Sequence, residues 1–173
     1  MKQHGIDTIE FNGTHYPLFQ AQGFAAQYAF PFAEKICKGI GYDIGCGRKE
    51  WCLRGAIPID PAMNEHHAMN LPMSVNFIFS SHCLEHLPDW VGVLDYWETR
   101  LQTNGVLFLY LPHPEQEYWL PWNQRNHTKT NTPHVNLLYP YMIKQYLEAR
   151  KWKNIFVTGY DLNHSFYAIA EKP

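Results

Sequence analysis

Asp43 and Asp60 each end a short apolar run, and they stand 17 positions apart. Gly45 and Gly47 follow the first acid, separated by Cys46. Glycine takes positive φ without a Cβ penalty and lets a ligand approach the main chain closely. A glycine turn at the end of one strand, with an acid at the tip of the next, is how open α/β sheets hold a nucleoside. The turn passes under the ligand, and the acid accepts hydrogen bonds from ribose hydroxyls. Arg48, Lys49 and Glu50 stand where a third glycine would let a pyrophosphate come close. The pattern therefore argues against a dinucleotide and for a ligand with an adenosine but no phosphates.

Histidine supplies the second set of candidates. His113, His127 and His134 fall in or near a stretch, 113–134, rich in Pro, Trp, Asn and His. Neutral imidazole is a base near pH 7. His113, directly after Pro112, is the first candidate for that role and His127 the second, although a hydrogen-bonded loop histidine is the plainer account of each. Tyr118, Trp119 and Trp122 suit a pocket wall and packing under the loop equally well. His82-Cys83-Leu84-Glu85-His86 satisfies H-x-x-E-H, which on a helix pairs two zinc-binding histidines with a glutamate base. Here the segment leaves an apolar strand and soon reaches Pro88, so that geometry is not expected and no metal site is assigned.

These residues need a scaffold. A chain of 173 residues, 46% hydrophobic and 17% charged, forms one globular domain with a real core. A net charge of −2 lacks the basic excess of a nucleic-acid binder. Cys37, Cys46, Cys52 and Cys83 show neither a CxxC pair nor a disulfide framework, and Met1–Glu10 is not a signal peptide. The expectation is a cytoplasmic protein without a membrane span. The sequence is silent on oligomeric state.

Alternation of apolar runs and helical periods predicts β-α-β-α order and a mostly parallel sheet. A hairpin is expected over Thr8–Phe11 and Thr14–Tyr16, because Asn12-Gly13 favours a primed turn. Residues 1–38 form an N-terminal covering segment. Within it Gly23–Lys38 reads as a helix kinked or divided at Pro31, and Leu18–Gln22 is placed to close over a ligand. Strands are expected at Ile40–Ile44, Ala56–Ile59, Val75–Ser80, Val106–Leu111, Ile155–Thr158 and Phe166–Ala170, with a weak third strand at Asn70-Leu71-Pro72. The connection after the glycine turn is too short for a full crossover helix. Asp89 can cap a helix over Trp90–Gln102, with Val91, Leu94, Trp97 and Leu101 on one face and Asn104-Gly105 as its stop. Another helix is expected over Asn136–Lys151. The loop 113–134 is long enough to be functional.

Taken in order, Asp43-Ile44-Gly45-Cys46-Gly47, Asp60, Leu71-Pro72, Ser80-Ser81-His82-Cys83-Leu84-Glu85-His86-Leu87 and Leu101–Leu107 resemble the class I S-adenosylmethionine-dependent methyltransferases. More narrowly, they resemble the small-molecule branch whose fourth strand ends in S-x-H-x-L-E-H. The likeness covers residues 40–112. It implies a Rossmann-like fold with seven strands in the order 3-2-1-4-5-7-6, the last antiparallel, in a single domain over 1–173. It implies S-adenosylmethionine as cofactor and S-adenosylhomocysteine as product. Gly45, Cys46 and Gly47 would pass under the methionine moiety and Asp43 would receive its ammonium. Asp60-Pro61 would hold the ribose, Asn70-Leu71 flank the adenine, and Ser81-His82 lie near the sulfonium, with Glu85 and His86 structural. The acceptor side would be 113–134. The implied reaction moves a methyl group to an O or N atom of a small-molecule or glycan-like acceptor.

Three departures stand against the family pattern: a shortened first helix, no acid before Leu71-Pro72, and Asn76 in place of a common Asp. The first two motivate the alternative of an inactive, cofactor-binding regulatory or partner subunit. Ser80-Ser81-His82-Cys83 also differs from the N/D-P-P-Y/F and Pro-Cys motifs of DNA methyltransferases, which disfavours a nucleic-acid acceptor.

Overall fold

The computed structural model describes residues 2–3, 5–11, 13–63, 67–115 and 134–173. Its first part is a small antiparallel sheet of β1 (Lys2–Gln3), β2 (Ile6–Phe11) and β3 (Thr14–Pro17). Phe11 pairs with Thr14 across a two-residue turn, as the Asn-Gly pair predicts, and Gly13 takes φ +77°. Then come α1 (Leu18–Ala21) and α2 (Ala26–Ile36). Pro31 lies inside α2 without dividing it, so the break in this segment falls at Gly23, with φ +84°.

The main sheet uses β4 (Gly41–Ile44), β5 (Ile57–Ile59), β6 (Val75–Ser81), β7 (Leu101–Pro112), β8 (Lys153–Val157) and β9 (Ser165–Glu171). Its order is β5-β4-β6-β7-β9-β8, with β9 running against the other five. A single 3-10 turn at Lys49–Trp51 is the whole helical content between β4 and β5, in line with the short connection. Helix α3 (Trp90–Arg100) leads into β7, and α4 (Pro140–Ala149) leads into β8.

Residue alternation along the strands separates two cores. Leu107, Leu109 and Leu111 of β7 face α3 and α4, together with Ile78, Phe166, Trp97, Ile143 and Leu147. Phe108 and Tyr110 face the other way, with Phe77 and Phe79, onto Ala26, Ala29 and Ala33 of α2. A period of two on a sheet buried on both faces gives this split.

Four expectations are corrected here. Asn70-Leu71-Pro72 is not a strand, so among the described residues the sheet has six strands, and β5 is its edge. The main chain there is satisfied by side chains instead of a ladder: Leu71 N donates to the Tyr96 hydroxyl at 2.8 Å, Met73 N to the Tyr42 hydroxyl at 3.0 Å, and Trp97 Nε1 to the Ala68 carbonyl at 2.7 Å. Val93, not Val91, joins Leu94 and Trp97 on the buried face of α3, and Val91 is 40% exposed. That helix stops at Arg100, where β7 begins directly, and Asn104 lies within the strand with φ +59°. Finally, α4 starts at Pro140, not Asn136. Val135 and Asn136 donate their N–H groups to the Glu85 carbonyl, at 2.9 and 3.1 Å, which holds them outside the helix. Asp89 caps α3 as expected, accepting from Gly92 N at 3.0 Å.

Candidate cofactor cleft

β4 lies between β5 on one side and β6 on the other, so the order of connection across the sheet reverses beside it. Ligands of open α/β sheets bind outside the carboxyl ends of strands at such a point. Gly45 follows β4 with φ +83°, donates its N–H to the Ile59 carbonyl at 2.8 Å, and has no room for a side chain. A Cβ built there would lie 2.5 Å from Cβ and Sγ of Cys83. Asp60, at the tip of β5, accepts from Gly47 N through Oδ2 and from Ala62 N through Oδ1, both at 2.9 Å. Two carboxylate oxygens have about four lone-pair sites, so acceptor capacity is left for a ligand.

The ends of these strands wall a cleft of about 700 Å³. Of the sequence-derived candidates, Gly45, Gly47, Asp60, Pro61 and His82 line it. Asp43 lies behind the turn, 1% exposed, where its Oδ2 accepts from Leu53 N at 2.6 Å. Burial pushes its carboxyl up to about 7 against the opposing effect of that hydrogen bond. Cys46 is buried, Leu71 belongs to the core, and Ser81 is buried with a hydroxyl that finds no partner among the described residues. Asn70 is exposed beside the cleft-lining His67, Ala68 and Met69.

His82 stands in the left-handed region with φ +48° and its Nε2 lies 3.0 Å from the Ser165 hydroxyl. The same hydroxyl accepts from Nε2 of the buried Gln20 at 3.1 Å. α1 is thereby tied to the cleft floor, in the place where Leu18–Gln22 was expected to approach a ligand. Burial, with His134 and His86 nearby, holds the His82 imidazole well below its ordinary value, hence neutral. Trp51 lines another wall, stacked on Phe24 at 4.8 Å between ring centres and covered by the Arg48 guanidinium. The sequence reading missed Trp51; an aromatic four residues after Gly47 was its one signal.

His113 lies apart from the cleft-lining residues. It is buried edge-on against Tyr160 and Phe166, and its Nδ1 accepts from Glu115 N at 3.2 Å. Burial lowers its pKa, so it too is neutral. His127, Tyr118, Trp119 and Trp122 lie outside the described residues. His134 is on the cleft wall with Glu85 and His86. Glu85 is 1% exposed and burial pushes its carboxyl up to about 8.

No protein-family model and no curated protein sequence matches the chain. Solved structures do match it. A SAM-dependent methyltransferase from Thermotoga maritima superposes with a TM-score of 0.64 at 14% identity, over 90% of this chain and 93% of that one. One from Archaeoglobus fulgidus gives 0.61 at 17% identity, over 87% and 93%. PigF, in complex with SAH, gives 0.53 at 11% identity, over 90% and 67%. Among the described residues, no helix is long and apolar enough to cross a membrane. The strand order, the glycine turn at the reversal point and these superpositions agree: this chain has the Rossmann-like fold of the class I SAM-dependent methyltransferases.

Proposed function

We propose that this protein is a methyltransferase that uses S-adenosylmethionine to methylate an O or N atom of a small-molecule or glycan-like acceptor. One observation carries the reading: the cleft at the sheet's reversal point is walled by Gly45, Gly47 and Asp60, the residues a nucleoside-binding turn requires. At about 700 Å³ it is large enough for a nucleoside-sized ligand and part of an acceptor. Four cysteines without a disulfide among them suit a reducing, cytoplasmic setting.

The chain's own residues would act by position. The glycine turn offers close approach to the main chain, Asp60 the ribose acceptor, and Ala68, Met69 and Trp51 apolar walls for the base. Methyl transfer is an in-line displacement at carbon, so holding the acceptor at near-attack distance supplies much of the rate. His82, held neutral against Ser165, adds no positive charge beside a cationic sulfonium.

Calorimetric titration of S-adenosylmethionine and S-adenosylhomocysteine tests this, with micromolar binding expected. Asp60→Ala should weaken both by roughly 1–3 kcal/mol through the lost ribose hydrogen bonds. Folded wild-type protein that binds neither compound would defeat the proposal. Unchanged affinity in a folded Asp60→Ala variant would remove Asp60 from the site.

A further inference from the structure

Glu85, His86 and His134 line the cleft, and the reading above leaves them without a task. Glu85 is 1% exposed, and neither of its carboxylate oxygens accepts a hydrogen bond from another of the described residues. A buried carboxyl group with no donor beyond its own main-chain N–H is costly as an anion, and it is stabilised either by a proton or by a cation bound beside it. Two imidazoles face it. His86 Nε2 and His134 Nε2 are each 3.7 Å from the same oxygen, Glu85 Oε1. Their rings are 4.7 Å apart at 80°, and the ligand atoms of all three residues lie within 4.8 Å of one another. A separation of 3.7 Å is too long for a hydrogen bond. It is close to the roughly 3.3–3.6 Å between donors that share a tetrahedral cation at about 2.0–2.2 Å.

The chain is fastened to hold this grouping. Val135 N and Asn136 N both donate to the Glu85 carbonyl, and Asn136 Nδ2 donates to the Leu87 carbonyl at 2.7 Å. His134 is thereby pinned against a segment far away in sequence. His82, the other histidine of H-x-x-E-H, has its Nε2 engaged with Ser165 instead.

We propose that Glu85, His86 and His134 bind a divalent first-row transition-metal cation, with zinc as the best fit. Two imidazoles and one carboxylate suit zinc, cobalt or iron, whereas magnesium and calcium prefer all-oxygen shells. Three protein ligands leave a coordination position open, and all three residues line the cleft, so that position faces it. Resting on the methyltransferase reading, this points to a hydroxyl acceptor whose acidity the cation raises. The hydroxyl proton would pass to solvent and the oxygen bond to the methyl carbon. The carbon–sulfur bond would break with its electron pair remaining on sulfur, giving S-adenosylhomocysteine.

The test uses untagged, chelator-treated full-length protein titrated with Zn²⁺ and with Co²⁺. One ion per chain is expected, with a visible Co²⁺ spectrum that shifts when acetohydroxamate occupies the open position. Glu85→Gln and His134→Ala, both checked for folding by circular dichroism, should each weaken binding roughly a hundredfold. Cys52→Ser should leave it unchanged. Absence of Zn²⁺ and Co²⁺ binding at millimolar concentration would overturn the site. So would binding that survives Glu85→Gln and His134→Ala, or that Cys52→Ser abolishes. A Co²⁺ spectrum indifferent to acetohydroxamate would overturn the open position. S-adenosylhomocysteine titrated into the same samples keeps the two readings apart, since cofactor binding without metal defeats only the cation site. Metal binding without cofactor defeats only the methyltransferase.

Discussion

Gly45 is where the main chain and the cleft constrain one another most tightly. An L-residue in the left-handed region costs about 1–2 kcal/mol for the backbone alone. At Gly45 an added methyl would also drive into Cys83. Gly45→Ala should therefore lower the unfolding free energy by at least that amount, read as a lower urea midpoint at unchanged m-value. Asp43 gives a prediction in pH. Its carboxyl keeps a proton to about pH 7 when folded but has an ordinary value of 3.8. The folded state then binds more protons across that window, so its stability contribution is complete below the lower value and is lost as pH rises through the upper one. In Asp43→Asn the amide oxygen can still accept from Leu53 N, and nothing titrates. The variant's melting temperature should change less than the wild type's between about pH 5 and about pH 8, with the gap in its favour at the upper end. Parallel curves would show that Asp43 does not carry this dependence. The glycines and Asp60 were legible because a turn and a strand tip are local features. Grouping Glu85 with His134 was not, because it depends on main-chain bonds between distant segments that leave no mark in spacing.

Among the elements, α3 shows how capping and packing divide the work. Asp89 accepts from Gly92 N at the helix start, while Leu94 and Trp97 bury the opposite face. Asp89→Ala should cost about 1 kcal/mol, measured by denaturant unfolding, without moving the buried face. All six main-sheet strands were legible as apolar runs and α2, α3 and α4 as helical segments, whereas α1 was not expected as a helix. Boundaries shifted where tertiary partners claimed main-chain groups. Tyr42, Tyr96 and Trp97 take the polar groups around residues 68–73 that a third strand would have used. The pull of Glu85 on Val135 and Asn136 delays α4 to Pro140, a residue well suited to the first helical turn.

At the scale of the molecule the two faces of the sheet are packed by different means. The α2 face sets small helix residues, Ala26, Ala29 and Ala33, against large aromatic ones on the strands, so helix and sheet approach closely. Ala29 is fully buried there. Ala29→Leu should destabilise the protein by roughly 1–3 kcal/mol through overpacking, seen as a lower melting temperature. Among the described residues the expected third strand is absent, and β5, three residues long, is the sheet's border. The Ile59 carbonyl points toward β4, since it accepts from Gly45 N, and by alternation Pro58 presents its main chain outward. Proline has no N–H with which to template an incoming strand. A border strand with no donor at its middle residue is a poor template for a neighbouring molecule, so Pro58 guards this flank against edge-to-edge pairing through the N–H it lacks.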